Sequence, residues 1–227
     1  MDFIKGEVLL FNKPYGWTSF QLVNKVRFTL KHELKIKKIK VGHAGTLDPL
    51  ATGLMIICTG RETKNIARYQ DLLKEYVATL KLGSTTPSFD LETAVNENFP
   101  YEHITEAMVD GVLKQFIGET IQEPPAFSAK FVDGVRAYKY ARKGKSITLS
   151  GNKIVISAME LLKFDLPYIS IRIECSKGTY IRALARDMGK ALHSGAHLTS
   201  LVRRKIGEYH VDKSLSIEEF ERNMIFL

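Results

Sequence analysis

Residues 42 to 53 read Gly42-His43-Ala44-Gly45-Thr46-Leu47-Asp48-Pro49-Leu50-Ala51-Thr52-Gly53. Three glycines and one proline make this stretch a loop whose backbone can approach a ligand closely. An apolar run, residues 54–58, follows at once and is typical of a buried strand. The loop contains one histidine, His43, and one carboxylate, Asp48. Asp48 could simply begin a turn before Pro49, or it could take part in catalysis.

Several common kinds of active site are excluded by what the sequence lacks. The loop contains neither the GxxxxGK[ST] nor the GxGxxG pattern of nucleotide-binding loops, and no GxSxG nucleophile elbow occurs in the chain. The two cysteines, Cys58 and Cys175, lie far apart and show no metal-ligand spacing. We therefore expect a reduced protein without a metal or a cofactor.

Outward from the loop, strands and helices mix without a regular alternation. The predicted strands are residues 7–11, 54–58, 74–82, 169–175 and 205–211. The predicted helices are one that begins at Thr18 or Ser19, and residues 61–69, 104–116, 179–192 and 216–223. The helical period assigns two sets of side chains to buried faces: Phe20, Val23, Val26 and Leu30, and Met108, Val112 and Phe116. This pattern predicts an α+β fold with a mixed, mostly antiparallel sheet.

Composition indicates a folded, basic protein. The 227 residues are 44% hydrophobic, and 33 Lys and Arg against 25 Asp and Glu give a net charge of +8. No apolar run approaches the ~20 residues that span a bilayer, and the N-terminus does not resemble a signal peptide, so we expect a cytoplasmic protein. The positive charge favours a polyanionic partner, and residues 31–40 hold five lysines and one acid.

Two further segments combine features of ligand-binding sites. Residues 175–187 run from a strand into a helix, where free backbone N–H groups suit an anion and where Tyr180 and Arg182 lie in the first turn. Residues 122–138 interleave aromatic and basic side chains, as RNA-binding surfaces often do.

Taken together, these segments resemble the TruB type of tRNA pseudouridine synthase, the enzymes that modify the uridine of the TΨC loop. The resemblance rests on seven motifs in family order: Asn12-Lys13-Pro14-x-Gly16-Trp17-Thr18-Ser19, residues 42–53, Lys74-Glu75-Tyr76, Gln122-x-Pro124-Pro125-x-Phe127-Ser128-Ala129, Gly134-x-Arg136-Ala137-Tyr138, Cys175-Ser176-Lys177-Gly178-Thr179-Tyr180-Ile181-Arg182 and Gly195-Ala196-His197-Leu198. The family usually reads Ser-Ala-x-Lys, whereas here Lys130 follows Ala129 directly.

The resemblance implies the pseudouridine synthase fold, with helices that flank the sheet and a central catalytic cleft. It implies one catalytic domain over residues 1–227 without the C-terminal RNA-binding (PUA) domain of many members. To compensate, residues 31–40 and Arg203-Arg204-Lys205 are candidates for extra tRNA contacts. The expected partner is the TΨC stem-loop of tRNA, with uridine 55 as the target, and we expect a monomer that binds neither membrane nor metal.

The resemblance also assigns roles to six residues. Asp48 is the nucleophile or base, Arg182 pairs with it, and Tyr76 stacks on the target base after that base has flipped out of the RNA. His43 helps to hold the flipped arrangement. The substrate pocket is lined by two further residues, Tyr180 and Leu201.

Three alternatives stay open at this point. The chain could catalyse the same reaction on another stem-loop RNA. It could be an RNA-binding or tRNA-folding protein with incidental isomerase activity, although binding alone needs no buried carboxylate. A glycoside hydrolase would need two carboxylates that flank the bond, and Asp48 has no acidic partner in its segment.

Overall fold

The computed structural model describes residues 2–132, 134–145 and 148–225, without the side chain of Ile225. The chain divides into two compact units. The first unit contains Met1–Tyr76 and Leu201–Leu227, and the second contains Val77–Ser200. The prediction that residues 1–227 form one catalytic domain stays a prediction.

The first segment of the first unit, which ends at Tyr76, contains six helices and strands. They are β1 (Val8–Lys13), α1 (Ser19–Glu33), β2 (Val41–His43), β3 (Thr52–Thr59), α2 (Ile66–Asp71) and β4 (Lys74–Leu82), the last of which continues into the second unit. A 3₁₀ turn, Gly60–Asn65, precedes α2. The predicted strand over residues 74–82 is confirmed, whereas the predicted helix over 61–69 is this turn followed by α2.

Helix α1 begins at one of the two predicted cap residues, Thr18, which forms a capping box with Gln21. The Gln21 backbone N–H donates to the Thr18 hydroxyl at 3.1 Å, and the Thr18 backbone N–H donates to the Gln21 side-chain oxygen at 2.7 Å. The predicted position of Phe20 in the core is wrong, because its side chain is 64% exposed and Leu22 is buried instead. The rotation of 100° per residue places Phe20 outside the buried stripe.

The second unit contains ten elements that follow β4. They are β5 (Ser84–Thr85), β6 (Glu97–Asn98), α3 (Glu106–Phe116), β7 (Gly118–Gln122), β8 (Phe131–Val132), β9 (Val135–Arg136), α4 (Ala137–Ala141), β10 (Asn152–Asp165), β11 (Tyr168–Cys175) and α5 (Ile181–Ala191). Strand β12 (Ala196–Ile206) begins in this unit and ends in the first, where β13 (Tyr209–His210) and α6 (Ile217–Ile225) follow. In α3, Met108 is exposed, contrary to prediction, and Val109 and Leu113 are buried beside Val112.

The strand pairing is mixed and mostly antiparallel, as predicted. In the first unit the strand order is β1-β3-β12, with β2 paired to β3 and β13 paired to β12. Strands β1 and β3 are antiparallel, and β12 is parallel to β3, with Arg203 opposite Gly53. In the second unit the order is β12-β4-β11-β10-β7, and the β10–β11 and β10–β7 pairs are antiparallel. The α+β prediction is confirmed.

Strand β3 forms the core of the first unit. Leu54, Ile56 and Cys58 on one of its faces pack with Tyr69 and Ile206, and all five side chains are buried. Because both faces of β3 are buried, its sequence is a continuous apolar run rather than an alternating one. The loop between β2 and β3 is therefore attached to a strand that is buried on both faces.

No helix in the described part of the chain is long and apolar enough to cross a membrane.

Candidate active site

Residues 42–53, here called the Asp48 loop, connect β2 to β3. Asp48 is half-buried, and the Ala51 backbone N–H donates to its carbonyl oxygen at 3.1 Å. The turn that the Asp-Pro pair predicts is therefore present. A turn does not account for the buried polar side chains that surround the loop.

One of these side chains is Arg203, which is only 1% exposed. Its Nε donates to the carbonyl of Leu54 at 2.7 Å, and its two terminal nitrogens donate to the carbonyls of Thr46 at 3.3 Å and Gly45 at 3.2 Å. The interpretation of Arg203 as a tRNA contact is wrong, since alternation along β12 turns its side chain inward. Both following residues form ion pairs: Arg204 with Asp212, and Lys205 with Glu75.

Ser19 and Asn12 hold two further points of the loop. The Ser19 hydroxyl is buried, accepts from the Leu47 backbone N–H at 2.8 Å and donates to the Leu47 carbonyl at 3.0 Å. The Gly53 backbone N–H donates to the side-chain oxygen of Asn12 at 3.1 Å. The residue before Asp48 is thus fixed at both its polar backbone groups.

Lys13 lies under the same loop and is fully buried. Its ammonium donates to the carbonyls of Trp17 at 2.6 Å, Pro14 at 3.0 Å and Pro49 at 3.3 Å. Burial lowers the pKa of Lys13 to about 8; the negative charge of Asp48 opposes this shift, and the positive charge of Arg203 adds to it. The Asp48 carboxylate therefore has a buried positive charge near it.

His43 ends β2 and begins the loop. Its pKa is lowered from the ordinary value of 6.5, first by burial and then by the positive charge of Arg203. The imidazole is consequently neutral at physiological pH and can take part in hydrogen bonds without repelling the neighbouring cations.

The other two predicted residues of the first unit lie on strands. Tyr76 on β4 and Leu201 on β12 are both buried. A buried tyrosine ring is suited to apolar contact with a base, and a buried leucine suits the wall of a pocket. Their roles stay predictions.

In the second unit, Arg182 lies in the first turn of α5 and is 4% exposed. Its two terminal nitrogens donate to the carbonyls of Ser88 at 3.1 Å and Phe127 at 2.9 Å, and its Nε lies 3.7 Å from a carboxylate oxygen of Asp90. Arg182 is therefore not a solvated helix residue. Asp90 was not predicted from the sequence, where its only signal was an acid at the end of a glycine-containing turn. The pairing of Arg182 with Asp48 stays a prediction.

Tyr180 precedes α5 and is held by Gln122. The Tyr180 backbone N–H donates to the Gln122 side-chain oxygen at 2.8 Å, and the Gln122 side-chain nitrogen donates to the Tyr180 carbonyl at 3.1 Å. This pair accounts for the glutamine that lies two positions before Pro124 in residues 122–138. It fixes the backbone at the start of α5, two residues before Arg182.

The lysine-rich stretch contributes to a basic pocket in the first unit. Lys38, Lys40, Arg61 and Lys64 line a cavity of about 340 Å³ together with Ile4 and Ile39, and all four cations are exposed. Among the residues that the structure describes, no acidic side chain lines this cavity. The Gly60 backbone N–H donates to the Lys40 carbonyl at 2.9 Å, and this hydrogen bond joins the two chain segments that line the cavity. Such a cavity can receive a phosphate group.

The second unit contains a recess that overlaps the predicted aromatic and basic segment, residues 122–138, only at Val135 and Tyr138. Tyr138, Tyr140, Lys139, Arg142, Lys143 and Lys145 line this recess of about 560 Å³. Lys130 contacts a different part of the unit, and its ammonium bonds with the side-chain oxygens of Asn152 at 2.9 Å and Ser150 at 3.1 Å. Within the described ranges, no group of three or more His, Cys, Asp and Glu could hold a metal ion.

Comparisons with known proteins identify the family. The model described as "TruB family pseudouridylate synthase (N terminal domain)" matches residues 31–181. A protein of Parabacteroides distasonis named tRNA pseudouridine synthase B is 62% identical over 221 residues, which cover 97% of this chain and 94% of that protein. A protein of the same name from Flavobacterium johnsoniae is 51% identical over 224 residues, which cover 98% of each chain.

Solved structures agree on the fold. A chain in the crystal structure of a Cbf5–Nop10–Gar1 complex is similar to 99% of this chain with a TM-score of 0.72 and 25% identity. The present chain covers 56% of the length of that one. The fold is therefore the pseudouridine synthase fold, and the chain is an isomerase that belongs to the TruB family of pseudouridylate synthases.

Proposed function

We propose that this protein isomerises the uridine at position 55, in the TΨC loop of tRNA, to pseudouridine, and that Asp48 is the nucleophile or base of this reaction. The relatives that are 62% and 51% identical over nearly the whole chain have names that specify tRNA. The observation that carries the proposal is the Asp48 loop, in which one half-buried carboxylate stands on a backbone held by Lys13, Ser19 and Arg203.

The chemistry requires a carboxylate and no redox partner. Formation of pseudouridine breaks the N1–C1′ bond, turns the base, and joins C5 to C1′. The hydrogen on C5 is lost to solvent while N1 gains one, so the atoms balance and no electrons are transferred. A carboxylate can attack carbon or accept a proton at the sugar, and the buried charge of Lys13 attracts its ionised form.

The remaining site residues divide between positioning and binding. We expect Arg182 to face the ionised carboxylate of Asp48 and Tyr76 to stack on the flipped base. His43, which is neutral, helps to hold the flipped arrangement, and Tyr180 and Leu201 line the pocket. Flipping the base out of the RNA costs a few kcal/mol because stacking is lost, and contacts of the protein with the base and its phosphates must offset this cost.

Exposed cations provide the expected binding surface for the RNA backbone. The basic pocket lies on the first unit, and the aromatic recess around Tyr138 and Tyr140 lies on the second. Contacts of lysine and arginine with phosphates confer affinity but not base specificity. We also expect the protein to act as a monomer in the cytoplasm, and light scattering of the free protein and of its tRNA complex tests the monomer.

The proposal is tested with an unmodified tRNA transcript that carries tritium at C5 of every uridine. Isomerisation releases that hydrogen, and mapping of the product locates the modified position. We expect release equivalent to one uridine per tRNA, at position 55. Asp48→Ala should abolish release while it leaves the Kd for tRNA within about threefold of wild type, because the removed side chain takes part in chemistry rather than in phosphate binding.

Each other outcome would reject a defined part of the proposal. Release from a different uridine would contradict the assigned position. Turnover by Asp48→Ala would overturn the role of Asp48. Tight binding of tRNA without release would instead favour a tRNA-folding protein or a different RNA substrate.

A further inference from the structure

Arg203 has no assigned role, although its backbone and side chain together contact the Asp48 loop at three points. The backbone contact is with Gly53, at the end of the loop, where β12 runs parallel to β3. Gly53 has a φ of +107°, and a Cβ there would lie 2.3 Å from the Arg203 carbonyl oxygen and 2.6 Å from its nitrogen. Only glycine permits this approach, so the position of Arg203 relative to the loop is fixed.

The side chain then extends from this fixed point to the middle of the loop. The guanidinium donates to Leu54 on β3 and, through its other two nitrogens, to Gly45 and Thr46. It thereby joins a buried strand to the residues that lie two and three positions before Asp48. A planar group with several fixed donors can bond to three carbonyls in different directions, and an ammonium cannot reproduce that geometry.

Stability alone is a poor reason for this arrangement. Removing a cation from water costs several kcal/mol, and neutral carbonyls compensate that cost less well than a carboxylate does. No salt bridge of Arg203 with a carboxylate is present within the described residues. A buried charge that bonds only to the carbonyls of one loop and its adjoining strand is better explained by the loop conformation that it imposes.

We propose that Arg203 is a positioning residue, which sets the backbone of residues 45–48 and thereby places the Asp48 carboxylate for reaction, without contacting RNA. The inference rests on the proposed role of Asp48. The positive charge of Arg203 also lowers the pKa of His43, in addition to the larger effect of burial. Loss of that charge therefore has a second consequence, which NMR can detect.

The test is Arg203→Lys, with Arg222→Lys on the exposed face of α6 as the matched control. We expect the single-turnover rate at saturating enzyme to fall at least about 30-fold in Arg203→Lys, since a misplacement of about 1 Å can cost 100-fold. We expect the Kd for tRNA to stay within about threefold. Arg222→Lys should retain the wild-type rate and affinity.

Arg203→Gln, which removes the charge, adds a readout that does not need turnover. The His43 ring, followed by NMR, should titrate at a higher pH than in wild type, and the amide shifts that change should include residues 45–48. These spectra remain informative even if no RNA substrate is isomerised, so the inference and the proposed function can fail separately.

Three results would overturn the inference. One is a rate within threefold of wild type in Arg203→Lys. Another is a loss of rate that a weaker Kd fully explains. The third is the failure of both variants to fold, which would make Arg203 a folding residue only.

Discussion

The Asp48 loop and the basic pocket lie in the same unit and use the same residue types in opposite ways. Under the loop, Lys13 and Arg203 are buried and donate to backbone carbonyls. In the pocket, Lys38, Lys40, Arg61 and Lys64 are exposed and surround an open cavity. The first group fixes a backbone, whereas the second group offers charge to a polyanion.

This difference separates two quantities that can be measured. A buried cation that holds the backbone should affect the rate of the chemical step and leave affinity nearly unchanged. An exposed cation should affect affinity and its dependence on salt and leave the saturated rate unchanged. Substitutions that violate this division would show that the two regions are not functionally distinct.

Among the cations, the largest effect on the rate is expected at Arg182, which is buried in the second unit. Arg182→Lys should lower the single-turnover rate at least about 100-fold, because an ammonium cannot maintain the bonds to Ser88 and Phe127 together with the approach to Asp90. The rate is measured by tritium release at saturating enzyme. Arg172→Lys, on β11 of the same unit and paired with Glu160, is the control. Near-wild-type rates in Arg182→Lys would make its role purely structural.

A smaller effect is expected at Ser19, which anchors the loop without a charge. Ser19→Ala removes both hydrogen bonds to Leu47 and leaves two buried backbone groups unsatisfied, at a cost of about 1–3 kcal/mol. If half of that cost falls on the reactive conformation, the rate should decrease about 2- to 13-fold, with an unchanged Kd. Ser200→Ala, at an exposed site, is the control. A lower affinity with a normal rate would contradict the division.

Much of the fold was predictable from local patterns. Strand β4 was predicted from its alternation with the bounds that it has, and the start of helix α1 was predicted from its cap residue. Strand β10 was missed because two irregularities in its pairing with β11 break the alternation and most of its side chains are not buried. The predicted strand over residues 205–211 is the end of β12, a turn and β13, since Gly207, at a φ of +55°, allows the chain to reverse.

The sequence offers candidate site residues where it concentrates unusual residue types, and the roles of these residues stay predictions. Loop composition and family motifs pointed to Asp48, and the strand-to-helix segment pointed to Arg182. The supports of these residues were not predictable, since each is a long-range contact: Arg203 lies more than 150 residues from Gly45, and Asp90 lies far from Arg182 in the chain. Alternation of side chains along β12 was the one local signal that Arg203 faces inward, and the adjacent basic residues obscured it.

Substitution of exposed cations should weaken the affinity for tRNA and leave the rate unchanged, in contrast to substitution of the buried groups. Lys38→Ala combined with Lys40→Ala should raise the Kd for tRNA about tenfold at low salt and reduce the slope of log K against log salt by about 2, one for each lost phosphate contact. The saturated rate should not change. Lys114→Ala with Lys190→Ala, two exposed lysines of the second unit, is the control. An unaltered Kd at low salt would mean that the lysine-rich stretch is only a solvated surface.

The smallest effect is expected in the pH dependence of the free energy of unfolding, to which the buried Lys13 contributes and an exposed lysine does not. Since the pKa of Lys13 is about 8 in the folded protein and ordinarily 10.5, the folded state loses a proton at pH values where the unfolded state keeps it. Unfolding then takes up a proton, so the free energy of unfolding rises with pH. Between pH 7.0 and 8.5 this contribution amounts to about 0.8 kcal/mol, and Lys13→Met lacks it.

Urea unfolding gives the free energy of unfolding of wild type and of Lys13→Met at both pH values. The change with pH in wild type minus the change with pH in the variant is the contribution of Lys13, because titrating groups that both proteins contain affect both changes equally. Lys13→Met should be less stable than wild type at either pH, because three carbonyls lose their donor, but the gap should widen as the pH rises. Lys40→Met serves as the control for the loss of one exposed charge. A gap that stays constant between these pH values would show that the pKa of Lys13 in the folded protein does not lie near 8, because a group that does not titrate in this range contributes no pH-dependent difference.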